Sequence, residues 1–398
     1  MSNHHPCICI SYRKVLLAIV EPIKSDWQDR LMRDLKALPK AHLHLHFTGS
    51  MRITTLRELA AAQQIRLPEN FSADAALHVP ANQRGWFRFQ RAYDAARKVV
   101  RSESTMRRII HEAAADERQE GSKRLEIQID PTSYAPFVGG ITPALEIVLD
   151  AAKAASHDTG VQIGIIVAAS RMKHPLDAAI LARLAAKYAG AEPGCVVGFG
   201  LSNDERRGET AQWAKAFRIA RKAGLAAVPH GGELLGPQHL REIVEHLHPA
   251  RIGHGVRAVE DPALLQQIVD QSIALEVCPA SNVHLGVYQQ LGDVPLRNLL
   301  DAGVKIALGA DDPLLFRSRL AAQYEAARTI LGFSDSELAT LARCSIEASL
   351  ASPSDKQKWY REIDSWLLTS DEASQQCASA DPPTLASTPK NSSLQSDH

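Results

Sequence analysis

"QIGIIVAASRMKHPLDAAILARLAAKY", Gln162 to Tyr188, contains one complete structural unit. Gln162 to Ser170 is a short run rich in isoleucine, valine and alanine, which reads as a strand buried on both faces. Pro175 to Tyr188 is dominated by Ala, Leu and Arg and opens on a proline, whose fixed φ and missing N–H suit a helix start. A buried strand followed by a helix implies a crossover to a parallel neighbour.

The same unit recurs on both sides. Short apolar runs begin at Ala41 (AHLHLH), Arg124 (RLEIQID), Gln162 (QIGIIVAAS), Val196 (VVGFGLS), Ala226 (AAVPHGG), Arg251 (RIGHG), Ala274 (ALEVCP) and Lys305 (KIALGADD). Helical stretches lie between them, among them 143–155, 175–188, 209–222 and 262–271. Eight strand–helix units in succession predict an α/β chain folded as a (β/α)8 TIM barrel. The first two strands are separated by residues 50–123, which predict a helical insertion after the first strand.

A barrel of this kind carries its chemistry at the C-terminal ends of its strands. The polar residues fall there. His44 and His46 end the first run, His230 and Glu233 follow the fifth, His254 ends the sixth, and Asp311 and Asp312 close the eighth. In "AHLHLHF", Ala41 to Phe47, the alternation puts Leu43, Leu45 and Phe47 on one strand face and three histidines on the other. Imidazoles two residues apart on a strand can grip one borderline ion such as zinc.

Bulk composition bounds the rest. The 398 residues are 45% hydrophobic and 23% charged, with a formal net charge of zero, so nothing suggests capture of nucleic acid or an anionic membrane. No apolar run reaches the length of a membrane span. Six scattered cysteines form no C-x-x-C pair, which points to a reducing, cytoplasmic setting. "VLLAIV" (Val15 to Val20) is too short and wrongly flanked for a secretory signal. Residues 1–37 read as an extension with a leading helix around Trp27 to Ala37, residues 38–369 as the catalytic domain, and the Ser/Ala/Pro-rich residues 370–398 as a disordered tail.

These motifs together resemble the zinc-dependent adenosine deaminase family. "LPKAHLHLHFTGS", "HGGE", "RIGHG", "EVCPASN" and "GADDP" occur in the family's order and at barrel-strand spacing. The resemblance covers about Leu38 to Leu350 and implies hydrolytic deamination of a 6-aminopurine nucleoside at C6, releasing ammonia. It implies one Zn²⁺ per chain on His44, His46, His230 and Asp311. Glu233 is then the acid that protonates purine N1, and His254 is a base or electrostatic partner. Asp312 hydrogen-bonds N7, and the backbone N–H of Asn203 meets N3. The partners implied are a small nucleoside and water. His42, where the family usually has an acid, reads as a buried, hydrogen-bonded residue. His174 either touches the pocket or caps a helix. Ser281 and Asn282 are expected to brace the loop after the seventh strand. The cysteine pattern of cytidine deaminases is absent.

Two departures bear on the substrate. Thr48 stands where the family usually has an aspartate that accepts from the ribose 5′-hydroxyl. Gly200 stands where another aspartate is expected. Losing a carboxylate there suits a nucleoside with a charged 5′ extension, and "HFTGSMR" resembles the branch that deaminates 6-aminodeoxyfutalosine, a menaquinone precursor. In that reading Trp86, Phe87 and Phe89 of "RGWFRFQRAYD" build an aromatic wall, and Arg84 or Arg88 pairs the substrate carboxylate. The competing readings are an adenosine or 2′-deoxyadenosine deaminase, an adenine deaminase, and a metal-binding barrel without activity.

Overall fold

The computed structural model describes residues 32–72 and 75–378. Two units separate in the chain, residues 33–364 and a second made of 1–32 with 365–398. The first holds eight parallel strands in sequence order. They are β1 (Lys40–His46), β2 (Ser122–Ile129), β3 (Gln162–Ser170), β4 (Val196–Ser202), β5 (Ala226–Gly231), β6 (Arg251–His254), β7 (Ala274–Val277) and β8 (Ile306–Leu308). The ring closes through Leu45 opposite Asp311. There the His46 N–H donates to the Asp311 carbonyl at 3.0 Å, and the Asp311 N–H donates to the His44 carbonyl at 3.0 Å. The (β/α)8 barrel expected from the strand–helix alternation is the observed fold.

Ile166, Val197 and Val228 form an apolar cluster inside the barrel. The inward face of β2 alternates Arg124, Glu126 and Gln128, all buried. Below the catalytic end, the interior holds a chain of charges. Arg124 Nε donates to Glu126 at 3.1 Å, Arg251 donates to Glu126 at 2.7 Å and to Glu276 at 2.6 Å. Two arginines and two glutamates balance, so none of the four is an unpaired buried charge.

The insertion after β1 is helical, as expected: α1 (Ile53–Ala62), α2 (Glu69–Ser72), α3 (Gln83–Arg97) and α4 (Glu103–Gln119). Asn82 caps α3 by accepting from the Gly85 N–H at 2.9 Å. A Cβ on Gly85 would meet the Pro80 carbonyl at 1.8 Å, so only glycine lets α3 start this close to the preceding segment.

The chain ends differ from expectation in part. Residues 32–39 form turns and bends, not a helix. Asp34 takes the Lys36 N–H at 2.8 Å in a local turn, and Leu38 precedes a proline, which disfavours helical backbone. Residues 27–31 of the expected leading helix lie outside the described residues. The last helix, Pro353–Ala378, continues beyond the boundary drawn at residue 369. Residues 379–398 of the expected tail lie outside the described residues. No helix among the described residues is long and apolar enough to cross a membrane.

Candidate active site

A cavity of about 280 Å³ opens at the C-terminal ends of the strands, and His46, His230, Glu233, His254, Asp311 and Asp312 line it. Strand order brings these six together from β1, β5, β6 and β8. Three non-glycine residues of the site have positive φ: Asn203 at 80°, His254 at 67° and Asp311 at 60°. Such backbone costs energy and persists where surrounding structure holds it, commonly at functional sites.

Three overlapping groups of donor atoms converge. Those of His44, His46 and Asp311 lie within 4.8 Å of one another, and so do those of His44, His230 and His254 and those of Glu233, His254 and Asp311. Asp311 Oδ1 is 3.1 Å from His46 Nε2 and 3.6 Å from His44 Nε2. Those separations match the edges of a tetrahedron with arms of about 2.0–2.1 Å, the zinc–imidazole distance. Two of the donors, His44 and Asp311, are aimed from behind. His44 Nδ1 sits 2.8 Å from Glu276, and Ser281 donates to the other Asp311 oxygen at 2.6 Å. His44 Nε2 is buried with no hydrogen-bond partner among the described residues. A carboxylate on Nδ1 with Nε2 left free is the arrangement of a metal-ligating histidine. The residues present therefore fit a single divalent ion. Gly253 makes room, since a Cβ there would meet His44 Cε1 at 2.7 Å and His230 Cδ2 at 2.8 Å.

His42 stays out of this group. Its Nδ1 is 2.8 Å from Glu117, and its Nε2 accepts from the Ala310 N–H at 3.0 Å, so both ring nitrogens are engaged. His174 caps a helix by accepting from the Leu176 N–H at 3.1 Å.

Electrostatics separates the acids. Burial pushes the Glu233 carboxyl well above the usual range, and the negative charge of Asp311 adds to it. Asp312 is raised for the same two reasons. Burial acts on Asp311 too, but the close approach of the His44 and His46 imidazoles outweighs it and holds it well below the usual range. Burial, then the charge on His44, pushes His254 down to about 3, so its imidazole is neutral at pH 7. His254 Nδ1 lies 3.6 Å from Glu233 Oε1, and neither atom has a hydrogen-bond partner among the described residues. The site thus sets one carboxyl held low against two held high, beside a neutral imidazole, around a place for an ion. This set can activate water and deliver a proton to a basic ring nitrogen.

Asn203 lines the cavity, and its left-handed backbone fits the tolerance of asparagine for that conformation. Gly49 admits Asp312, because a Cβ there would fall 1.7 Å from Asp312 Oδ1. From α3, Trp86 and Phe89 line the cavity, with ring centroids 5.1 Å apart. Three expectations fail. Phe87 is 53% exposed, and Arg84 and Arg88 are exposed as well, because the 3.6-residue period turns them away from the face of Trp86 and Phe89. Thr48 is fully buried and does not line the cavity; its hydroxyl pairs with that of Tyr134 at 2.6 Å.

Other lining residues were missed. Tyr93 and Arg97 continue the α3 face at helical spacing, Gln128 lies near the end of β2, and Asp130 follows it. Both signals are periodic and could have been used. Gln128 Oε1 lies 3.2 Å from His230 Nε2. Arg97 and Lys173, the lysine and arginine that line the cavity, are already paired, Arg97 with Asp94, and Lys173 with Asp130 at 2.7 Å.

Residues 39–366 match the model of the adenosine deaminase family. The chain is 58% identical to a Streptomyces virginiae protein provisionally named adenosine/adenine deaminase, over 84% of this chain and 98% of that one. It is 33% identical to an adenine deaminase of Sinorhizobium fredii, over 81% and 97% of the two chains. Among solved structures, the adenine deaminase of Arthrobacter aurescens superposes with a TM-score of 0.75 at 28% identity, covering 83% of this chain and 99% of that one.

Proposed function

Because the chain belongs to the adenosine deaminase family, we propose that it hydrolyses the exocyclic amine of a 6-aminopurine, with free adenine as the preferred substrate. Water adds its oxygen at C6, the C6–N6 bond breaks, and a 6-oxopurine and ammonia result.

The observation that carries the chemistry is Glu233, buried, raised in pKa and facing the same cavity as the His/Asp donor group. A protonated Glu233 donates to ring N1, which drains electron density from C6. A protonated Asp312 donates to N7, which has only a lone pair to offer. Neutral His254 accepts a proton from the attacking water. His44, His46, His230 and Asp311 hold the ion, zinc by the chemistry of the donors. When bound, the ion lowers the pKa of water enough to supply a nucleophile near neutral pH. Trp86 and Phe89 exclude solvent above the ring.

The choice of adenine rests on the side where Thr48 stands. By the resemblance, position 48 faces a ribose 5′-hydroxyl. Here the Thr48 hydroxyl is hydrogen-bonded to that of Tyr134. Thr48 is buried and does not line the cavity, so it offers a sugar no acceptor there. A carboxylate-bearing 5′ extension, as in 6-aminodeoxyfutalosine, needs an available cation, while Arg97 and Lys173 are paired within the protein and Arg88 points away. The relatives named adenine deaminase point the same way. Cys195, Cys278 and Cys344 are free thiols, in keeping with the expected cytoplasmic setting.

The test is kcat/KM for adenine, adenosine, 2′-deoxyadenosine and 6-aminodeoxyfutalosine, side by side on zinc-loaded protein. Adenine should rank first. Turnover of a nucleoside above adenine would overturn the substrate assignment and leave the deaminase chemistry standing. Turnover of none would overturn both.

A further inference from the structure

Glu233 sits in a loop that nothing in its own composition holds still. The loop runs from Gly232 to Gly236, and Gly232 has φ of 68°. Two side chains pin it: Arg257, which donates to the Leu234 carbonyl at 2.9 Å, and Glu205 from the segment after β4. Glu205 Oε1 accepts from the Glu233 N–H at 3.1 Å, while Oε2 accepts from the N–H groups of Leu234 at 3.1 Å and Leu235 at 2.9 Å. Three successive N–H groups converging on one carboxylate form an anion nest. Glu205 is 2% exposed and does not line the cavity.

Glu205 is itself braced. His239 Nδ1 lies 3.7 Å from Oε2, Arg171 donates to His239 Nε2 at 3.1 Å, and the Arg171 guanidinium lies 5.2 Å over the Trp213 ring. All four side chains are buried. The brace ties the Glu233 loop to the segments following β3 and β4.

We propose that Glu205 is a positioning residue for Glu233, fixing the backbone from which the proton donor reaches the purine. The inference rests on the reading of Glu233 as that donor. Glu205 touches no part of the cavity, so its influence on rate runs through Glu233. Proton transfer needs donor and acceptor within hydrogen-bond reach, and a displacement of about 1 Å can cost about 10²-fold in rate.

The test is a double-mutant cycle on zinc-loaded protein with E205Q, E233Q and the pair. The amide introduced by E205Q keeps the shape of the carboxylate but turns an N–H₂ toward backbone N–H groups, so at least one arm of the nest is lost. E205Q should lower kcat for adenine by about 10²-fold, with KM, zinc content and cooperative thermal unfolding little changed. On the E233Q background the same change should cost almost nothing further, because the group being positioned is already gone. An equal loss in both backgrounds, an unchanged kcat in E205Q, or a loss confined to KM would overturn the positioning role. E233Q alone tests the premise: near-full rate there would overturn the donor reading and this inference together. Should E205Q not fold, E205D, which keeps the charge but draws it back from the three N–H groups, takes its place in the cycle.

Discussion

His44 and Glu276 meet at 2.8 Å, Nδ1 to Oε2, with both side chains out of solvent and 232 positions apart in the chain. The contact leaves Nε2 as the free ring nitrogen. Glu276→Gln should therefore weaken zinc binding by about 10–100-fold, the usual effect of removing a carboxylate behind a histidine ligand. Competition with a chromophoric chelator measures it without reference to turnover. An unchanged zinc affinity would mean that Glu276 serves only the charge chain beneath.

Glu233→Gln should keep zinc and fold while lowering kcat by about 10²–10⁴-fold. The pH dependence follows from the raised pKa, which burial and Asp311 produce. The working form is the protonated acid, present below that pKa and lost as pH rises through it, so kcat should fall on the alkaline side. The variant's residual rate should lack this limb. A Glu233→Gln enzyme with the same alkaline decline would assign the limb to another group.

Tyr134 supplies the hydroxyl that pairs with Thr48, and its ring lines the cavity. Tyr134→Ala should open that side, raising kcat/KM for adenosine relative to adenine by roughly tenfold or more, the range a pocket-size change commands. Should the ratio stay put, the sugar must be excluded elsewhere, with Trp86 and Phe89 as the next residues to vary.

Arg251 links Glu276 to Glu126 in the barrel interior and also donates to the Ala348 carbonyl at 2.9 Å. Arg251→Met leaves two buried glutamates with one guanidinium between them and should cost about 3–5 kcal/mol of stability. Denaturant unfolding of the zinc-loaded protein reads this directly. A loss below about 1 kcal/mol, the level of a surface pair, would show that the glutamates find other partners.

The barrel was legible because its strands are local patterns. β3 and β4 begin and end where their apolar runs do, at Gln162 and Ser170 and at Val196 and Ser202, since a strand covered on both faces must be apolar along its length. The donor group was legible for a related reason. His44, His46, His230, Glu233, His254 and the Asp311–Asp312 pair sit at or just after strand ends, and a parallel barrel gathers all such ends at one mouth. What surrounds those residues depends on contacts between distant segments. Arg88 and Arg97 share one helix, yet only Arg97 lines the cavity, because packing of the insertion rotates α3 to present Trp86 and Phe89 there. Thr48 reads as a space beside the ribose until Tyr134, 86 positions later, takes its hydroxyl. Glu205 looks like one acid in a polar loop until three N–H groups 28 to 30 positions away converge on it. Periodicity and strand order determine which side chains reach the mouth of the barrel. Which of them remain free to meet a substrate is decided by hydrogen bonds and ion pairs across the sequence, and those exist only once the chain has closed on itself.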